Sequence, residues 1–351
     1  MKKLFTIFSL VLLALVLSAC TGKTKGKFDY KDGVYFAIQE RTENQTYRYW
    51  VTVTIKDKKI TNVTWDAYHV DGAAVNCRGD SKMVCSEKGN YGMNANNGEW
   101  YLQAKRVTDW IVANQKIGNE IEIKDNGKTD AIASVSITVK ELFDLIDEAL
   151  ENEPVEKGDY KDGYYYVETE LADKTVKYAV LKEGTTDEYL VFEETFKTST
   201  MGTFLVVNGT IVLADINARH DAYIYETNTN GSFKKYTVVV DEEQNKTESY
   251  NIIKGTGKLE NGKVTLTGAK KFVTKDSAGK WYGMSDTGKV EWNIQVQNIE
   301  KLLLENQGLT IKDGKIEGLN TTDANTGATL GASSMNGIIN VWNQFYNKAA
   351  K

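Results

Sequence analysis

The chain of 351 residues has one proline, Pro154, two histidines, His69 and His220, and three cysteines. The histidines lie far apart and belong to no ligand-spaced cluster, so the sequence gives no support to a His/Cys metal centre or a histidine-based catalytic constellation. Each reads as a surface or turn residue. Basic residues are in deficit, 43 Lys and Arg against 48 Asp and Glu for a net charge of −5. That balance argues against nucleic acid as a partner. Beyond one N-terminal run, no segment approaches the roughly 20 apolar residues that a membrane-spanning helix needs.

That N-terminal run is the first positive signal. Met1, Lys2 and Lys3 precede a largely apolar stretch from Leu4 to Leu17, which leads into Leu17-Ser18-Ala19-Cys20. A basic start, a short apolar segment and small residues before a cut site describe an export signal, the alternative being an anchor that stays as a membrane helix. Leu-Ser-Ala-Cys resembles the bacterial lipobox, in which the Cys receives a diacylglycerol and becomes the first residue of the mature chain. Residues 1–19 are therefore expected to be a lipoprotein signal peptide, with Cys20 lipidated. Residues 20–28 form a tether, and "TGKTKGK" within it carries three lysines and no apolar side chain. The remainder is expected on the extracellular face of the cell membrane, held by lipid. Cys77 and Cys85, in "VNCRGDSKMVCSE", either close a short disulfide loop or remain free thiols.

The body repeats itself. "DYKDG" occurs at Asp29–Gly33 and again at Asp159–Gly163, each time before an aromatic, strand-like run. Tyr91-Gly92-Met93 and Tyr282-Gly283-Met284 recur, as do Glu-Trp and a terminal Asn-Gln at matched spacing, Trp100 to Asn114 and Trp292 to Asn306. Tandem halves at 29–152 and 159–351 follow, joined by a charged linker at 153–158 that contains Pro154. The second half is longer by about 60 residues, placed at about 186–250 and rich in β-branched and aromatic residues. "YWVTVTIKDKKITNVTW" alternates around a charged turn, and Asn208-Gly209 and Asn261-Gly262 mark hairpins. Helical stripes fall at "VKELFDLIDEAL" and "NGIINVWNQFYNK". The fold class is α+β, antiparallel hairpins packed with helices. The Tyr-Gly-Met triplets read as shared structural turns, and Trp100 and Trp292 as core.

Before the last helical stripe stands "TTDANTGATLGASS", with Asp323, Thr326, Gly327, Ala328 and Thr329 at fixed spacing. The small residues let a bulky group approach the backbone, and the following helix start, with Ser333 or Ser334 as N-cap, offers free N–H groups to a small anion such as phosphate. In the first half Asp130 and Ser136 hold the places of Asp323 and Thr329, while Ser134 and Val135 replace Gly327 and Ala328.

Asp-x-x-[Ser/Thr]-Gly-Ala-[Ser/Thr] at the end of a small α+β domain resembles the FMN-binding domain family, in which the last Thr carries FMN through a phosphoester installed by a flavin transferase. With the lipobox, tether and repeat, the chain is similar to the two-domain surface lipoproteins of that family. The resemblance implies FMN on Thr329, Asp323 assisting its transfer, and Thr326, Gly327 and Ala328 shaping the recognised turn. It also implies electrons received from a membrane quinone-linked donor and passed to extracellular acceptors, an electron carrier more than a substrate-specific enzyme. Ser136, with Asp130, is the corresponding candidate site of the first half, and is expected to stay unmodified or to be poorly modified, because its turn is crowded. The rival expectations are a cofactor-free binding lipoprotein or adhesin, and a flavin-dependent extracellular reductase.

Overall fold

The computed structural model describes residues 28–42, 45–71, 76–93, 95–243, 245–284, 289–319 and 330–351. The first half runs β1 (Gly33–Ile38), β2 (Tyr47–Lys56), β3 (Lys59–His69), α1 (Lys82–Glu87), α2 (Trp100–Asn114) and α3 (Lys140–Glu151). In the second come β4 (Gly163–Glu168), β5 (Ala172–Lys182), β6 (Tyr189–Val207), β7 (Thr210–Tyr223), β8 (Lys235–Val239), β9 (Thr247–Glu260), β10 (Lys263–Thr267) and β11 (Lys271–Thr274). There follow α4 (Lys275–Ala278), α5 (Trp292–Asn306), β12 (Ile311–Lys312), β13 (Lys315–Ile316) and α6 (Ala332–Ala349). The fold is α+β.

Strands β1, β2 and β3 form an antiparallel meander whose charged turn uses Asp57 and Lys58 at φ 50° and 61°. In the second half β4, the C-terminal part of β6, and β7 repeat that meander, turning at Asn208-Gly209. Asn208 and Gly209 adopt positive φ, the geometry that lets a two-residue turn match strand twist. The extra strands do not form one block at 186–250. One piece, β5 with the N-terminal part of β6, follows β4; the other, β8 to β10, follows β7. A single 19-residue strand, β6, thus runs through both the meander and the added sheet, which sequence alignment of the ends could not reveal.

Each meander buries one face under its helices. Trp65, Trp100, Val107, Ile111, Phe143 and Ile146 close the first core; Phe204, Trp292, Ile299, Trp342 and Phe345 close the second. The opposite faces meet each other, with Trp50 and Tyr68 against Leu205, Val207 and Leu213. This explains why "VYFAI" is apolar without alternation: Tyr35 and Ala37 face helices while Val34 and Phe36 face the other sheet. The segment read as a linker is pinned between the halves, since Val155 N–H donates to Val34 O (2.7 Å) and Asn208 Nδ2 to Val155 O (2.8 Å).

One polar side chain ties each long helix to its hairpin. Gln115 and Gln307 end α2 and α5 in left-handed conformation, φ 55° and 52°. Gln115 accepts from Ile60 N–H (2.9 Å) and donates to Ile60 O (2.8 Å); Gln307 does the same with Ile211, at 2.7 and 3.1 Å. Removing either amide strands two strand groups. We expect Gln115→Ala and Gln307→Ala each to cost about 2 kcal/mol in urea unfolding, the scale of unsatisfied buried polar groups. A cost below a few tenths would show that water replaces the amide.

Candidate functional site

Thr329, Asp323, Thr326, Gly327, Ala328 and Cys20 lie outside the described residues. The described chain resumes at Leu330, which is buried in the second core. Helix α6 then begins, capped by Gly331. Ser333 and Ser334 therefore do not cap it but stand in its first turn, where they help line a cavity of about 790 Å³. That volume lies within the ~300–1,000 Å³ usual for small-molecule sites.

The cavity is cationic in a protein of net negative charge. Among the described residues Lys174, Arg219 and Lys275 line it against one carboxylate, Glu170. Arg219 leans on Asp221 at 3.5 Å. Lys275, the first residue of α4, reaches Ser334 Oγ (3.3 Å) and lies over the rings of Tyr282 (4.6 Å) and Trp292 (5.0 Å). Burial, reinforced by Lys174, pulls its ammonium down to about 7. His220 is a correction to the surface reading. It is 5% exposed, wedged edge-on to Phe196 and Tyr282, and its Nδ1 has no hydrogen-bond partner among the described residues. Burial, and then Lys174 and Lys275, hold it neutral, down to about 3.

The first half contains the same architecture with the space filled. Ser81 caps α1 and precedes Lys82, as Thr274 caps α4 and precedes Lys275. Asp66 Oδ1 accepts from Ala67 and Met83 N–H; Asn217 Oδ1 accepts from Ala218 and Asp276 N–H. These matched contacts put Asp66 where Asn217 stands and His69 where His220 stands. Strand register then places Tyr47 and Tyr49 of β2 at Thr198 and Thr200 of β6. Lys82 sits among the rings of Tyr47, Tyr49, Tyr91 and Trp100, 4.6 to 4.9 Å from each centroid, and its Nζ donates to the Tyr49 hydroxyl. Matching the buried Leu142, Phe143, Leu145 and Ile146 of α3 to Ile338, Ile339, Val341 and Trp342 of α6 puts Glu141 at Gly337. Burial brings Lys82 down to about 8, opposed by Asp66 and Glu141.

The remaining expectations can now be placed. Ser136 is described, but its N–H and Oγ both donate to Gln103 Oε1, at 2.7 and 3.2 Å. Asp130 is paired with Lys124 on the surface. Ser134 stands at φ 57°, where a Cβ costs ~1–2 kcal/mol. Cys77 and Cys85 are joined, Cα–Cα 5.2 Å, closing the loop that carries Lys82. Arg78 of that loop pairs with Glu168, which also accepts from Ser199 Oγ beside the cavity. Trp100 and Trp292 are core, 3% and 1% exposed. Met93 and Met284 N–H donate to Glu99 and Glu291, and the preceding tyrosines lie over the lysines, so the triplets both shape a turn and close the lysine site.

Sequence reading missed Lys82 and Lys275. The signal was a hydroxyl residue followed by Lys shortly before Tyr-Gly-Met, but the spacing to the tyrosine differs between halves, so linear alignment separates them. Among the described residues no group of His, Cys, Asp and Glu could hold a metal ion, and no helix is long and apolar enough to cross a membrane.

No family model and no curated protein matches the chain. Among solved structures, a Clostridium thermocellum protein determined by solution NMR is 35% identical, covering 34% of this chain and 90% of that one, with a TM-score of 0.27.

Proposed function

We propose that this chain is a lipid-anchored extracellular electron carrier of the FMN-binding domain type, with FMN held by a phosphoester on Thr329 and its ring lodged in the cavity beside α6. The observation that carries the reading is that cavity: it opens at the start of the helix that follows the motif, and it is lined by three cations. The residues fit the group. A flavin phosphate is anionic, the first turn of an 18-residue helix favours negative charge, and Tyr282 offers an aromatic wall.

When bound, FMN supplies reversible one- and two-electron chemistry; the protein supplies position and electrostatics. Ser333 and Ser334 offer hydroxyls at the helix start, Lys174 and Lys275 offer positive charge, and neutral His220 closes the floor without adding to it. Asp323 assists the flavin transferase, and Thr326, Gly327 and Ala328 shape the turn it reads. Covalent attachment suits an outward-facing protein held by lipid at Cys20, because a diffusible cofactor would be lost to the medium. Electrons enter from a membrane quinone-linked donor and leave to extracellular acceptors. In the first half Tyr47, Tyr49 and Glu141 take up the corresponding space, in keeping with one flavin per chain.

The test is intact mass, with flavin fluorescence after denaturing electrophoresis, on chains co-produced with a flavin transferase. One FMN on wild type and on Ser136→Ala, and none on Thr329→Ala, is expected. No adduct in the presence of an active transferase would overturn the reading in favour of a cofactor-free binding lipoprotein.

A further inference from the structure

Four differences between the two lysine sites point the same way. Around Lys82 stand two carboxylates, Asp66 and Glu141, and two phenol rings, Tyr47 and Tyr49. Around Lys275 the matched positions are Asn217, Gly337, Thr198 and Thr200. Each exchange removes negative charge or bulk. Gly337 shows how close the walls come, since a Cβ built there would lie 2.2 Å from Thr200 Oγ1. The result is a lysine with no carboxylate partner among the described residues, facing a cavity, whereas its counterpart is sealed, 4% exposed, and feels the opposite charge of Asp66 and Glu141. A buried ammonium without a counter-charge is costly, and a protein that keeps one has a ligand to supply the charge or tolerates a neutral amine. His220, which lines the same cavity, is itself buried, and its Nδ1 has no hydrogen-bond partner among the described residues.

We propose that Lys275 is the cation this cavity presents to an anionic oxygen of its ligand, and that the first half is a self-filled copy of the site in which Asp66, Glu141 and the two tyrosines take the ligand's place. The inference rests on the flavin reading for the identity of the ligand but not for its charge. An FMN has two sources of anionic oxygen. One is the phosphate. The other is the ring after reduction, when two electrons and one proton leave the isoalloxazine with one negative charge spread over N1 and O2.

The experiment uses the full chain in detergent, wild type, Lys275→Gln, Lys275→Arg and, as a control, Lys82→Gln. On unmodified protein, free FMN, riboflavin and inorganic pyrophosphate are titrated by equilibrium dialysis. On flavinylated protein, the two-electron midpoint is read by equilibration with a dye of known potential, using dithionite as reductant. If Lys275 meets the phosphate, Lys275→Gln weakens FMN and pyrophosphate about tenfold, with riboflavin unchanged. If it meets the ring, Lys275→Gln lowers the preference for reduced flavin about tenfold, equal to a fall of roughly 30 mV for a two-electron couple. In either case Lys275→Arg keeps most of the effect and Lys82→Gln has none. A Lys275→Gln protein matching wild type in both measurements overturns the inference, even with FMN attached at Thr329. Pyrophosphate binding that depends on Lys275 in a chain that accepts no flavin would keep the inference and sink the flavin reading. Circular dichroism of each variant separates loss of ligand from loss of fold.

Discussion

A Thr200→Tyr protein is expected to bind free FMN about a hundredfold more weakly than wild type, the equivalent of roughly 2.8 kcal/mol, while remaining folded. The substitution rebuilds in the second half what Tyr49 does in the first. From the matched strand position the ring extends over the lysine, its hydroxyl takes the Nζ hydrogen bond, and the cavity beside α6 loses its centre. Thr200 already touches α6 at Gly337, so the ring has one way to go, toward Lys275. Isothermal titration on the Thr329→Ala background, which excludes the proposed covalent flavin as a competitor, gives the affinity. Thr198→Tyr, which copies Tyr47 at the more open end, serves as the second variant should Thr200→Tyr unfold. Undiminished FMN binding by both folded variants would place the ligand elsewhere, and the cavity would lose its assigned role.

Arg41→Ala is expected to cost about 3–5 kcal/mol of stability near neutral pH, the scale for leaving buried carboxylates without their cation. Arg41 leaves the β1–β2 loop to pair with Asp215 of β7 (3.0 Å) and with Asp276 of α4. Tyr68 donates to the same Asp215 oxygen (2.5 Å), Arg48 donates to Tyr68, and Glu300 of α5 accepts from Ile216 N–H. One guanidinium therefore offsets the carboxylates of Asp215, Asp276 and Glu300, Asp215 being 5% exposed. Without it they face one another with Arg48 as the nearest remaining cation of the network. The sign with pH follows from their shifts. Burial raises Glu300 well above the usual carboxylate value, Asp215 adding to it and Arg41 opposing. Burial raises Asp276 as well, with Arg41 opposing. A carboxyl raised in the folded state adds stability below its unfolded value and loses it as pH climbs through the folded one. Deleting Arg41 pushes both groups further up, so the penalty is expected to be small at about pH 4 and to grow toward neutrality. Urea unfolding at a series of pH values checks this. A penalty independent of pH would assign the loss to packing of the arginine stem.

The two predictions concern different joints of the molecule, and they differ in how far the sequence anticipated them. The effect expected at Thr200 depends on Lys275, whose burial no local sequence signal marks. Lys275 follows a hydroxyl cap and precedes Tyr-Gly-Met, but so many lysines do as much on a solvated helix that nothing in the string separates a buried ammonium from an exposed one. What buries it is the convergence of β5, β6, β7, α5 and α6 on the start of α4, elements far apart in the chain. The Arg41 network is likewise a product of the contact between the two halves, since the nearer of its two ion-pair partners, Asp215, lies 174 residues away in the chain.

Other features needed no third dimension. Asn208-Gly209 and Asn261-Gly262 specify hairpins because only residues tolerant of positive φ close a two-residue turn in the twist of the strands. The stripe of Leu142, Phe143, Ile146 and Leu150 specifies an amphipathic helix because 3.6-residue periodicity puts those side chains on one face. The matched Trp-to-Asn segments specify two helices of equal length, each followed by a glutamine. All of these are short-range, so neighbouring residues carry the whole of the information. The tertiary structure decided the rest: that β6 continues from the meander into an added sheet, that Cys77 and Cys85 meet, that His220 is buried, and that one lysine is sealed by its own chain while its twin faces a cavity. Those outcomes turn on which side chains from distant segments share a volume, and volume and charge are settled only when the two sheets and their helices pack.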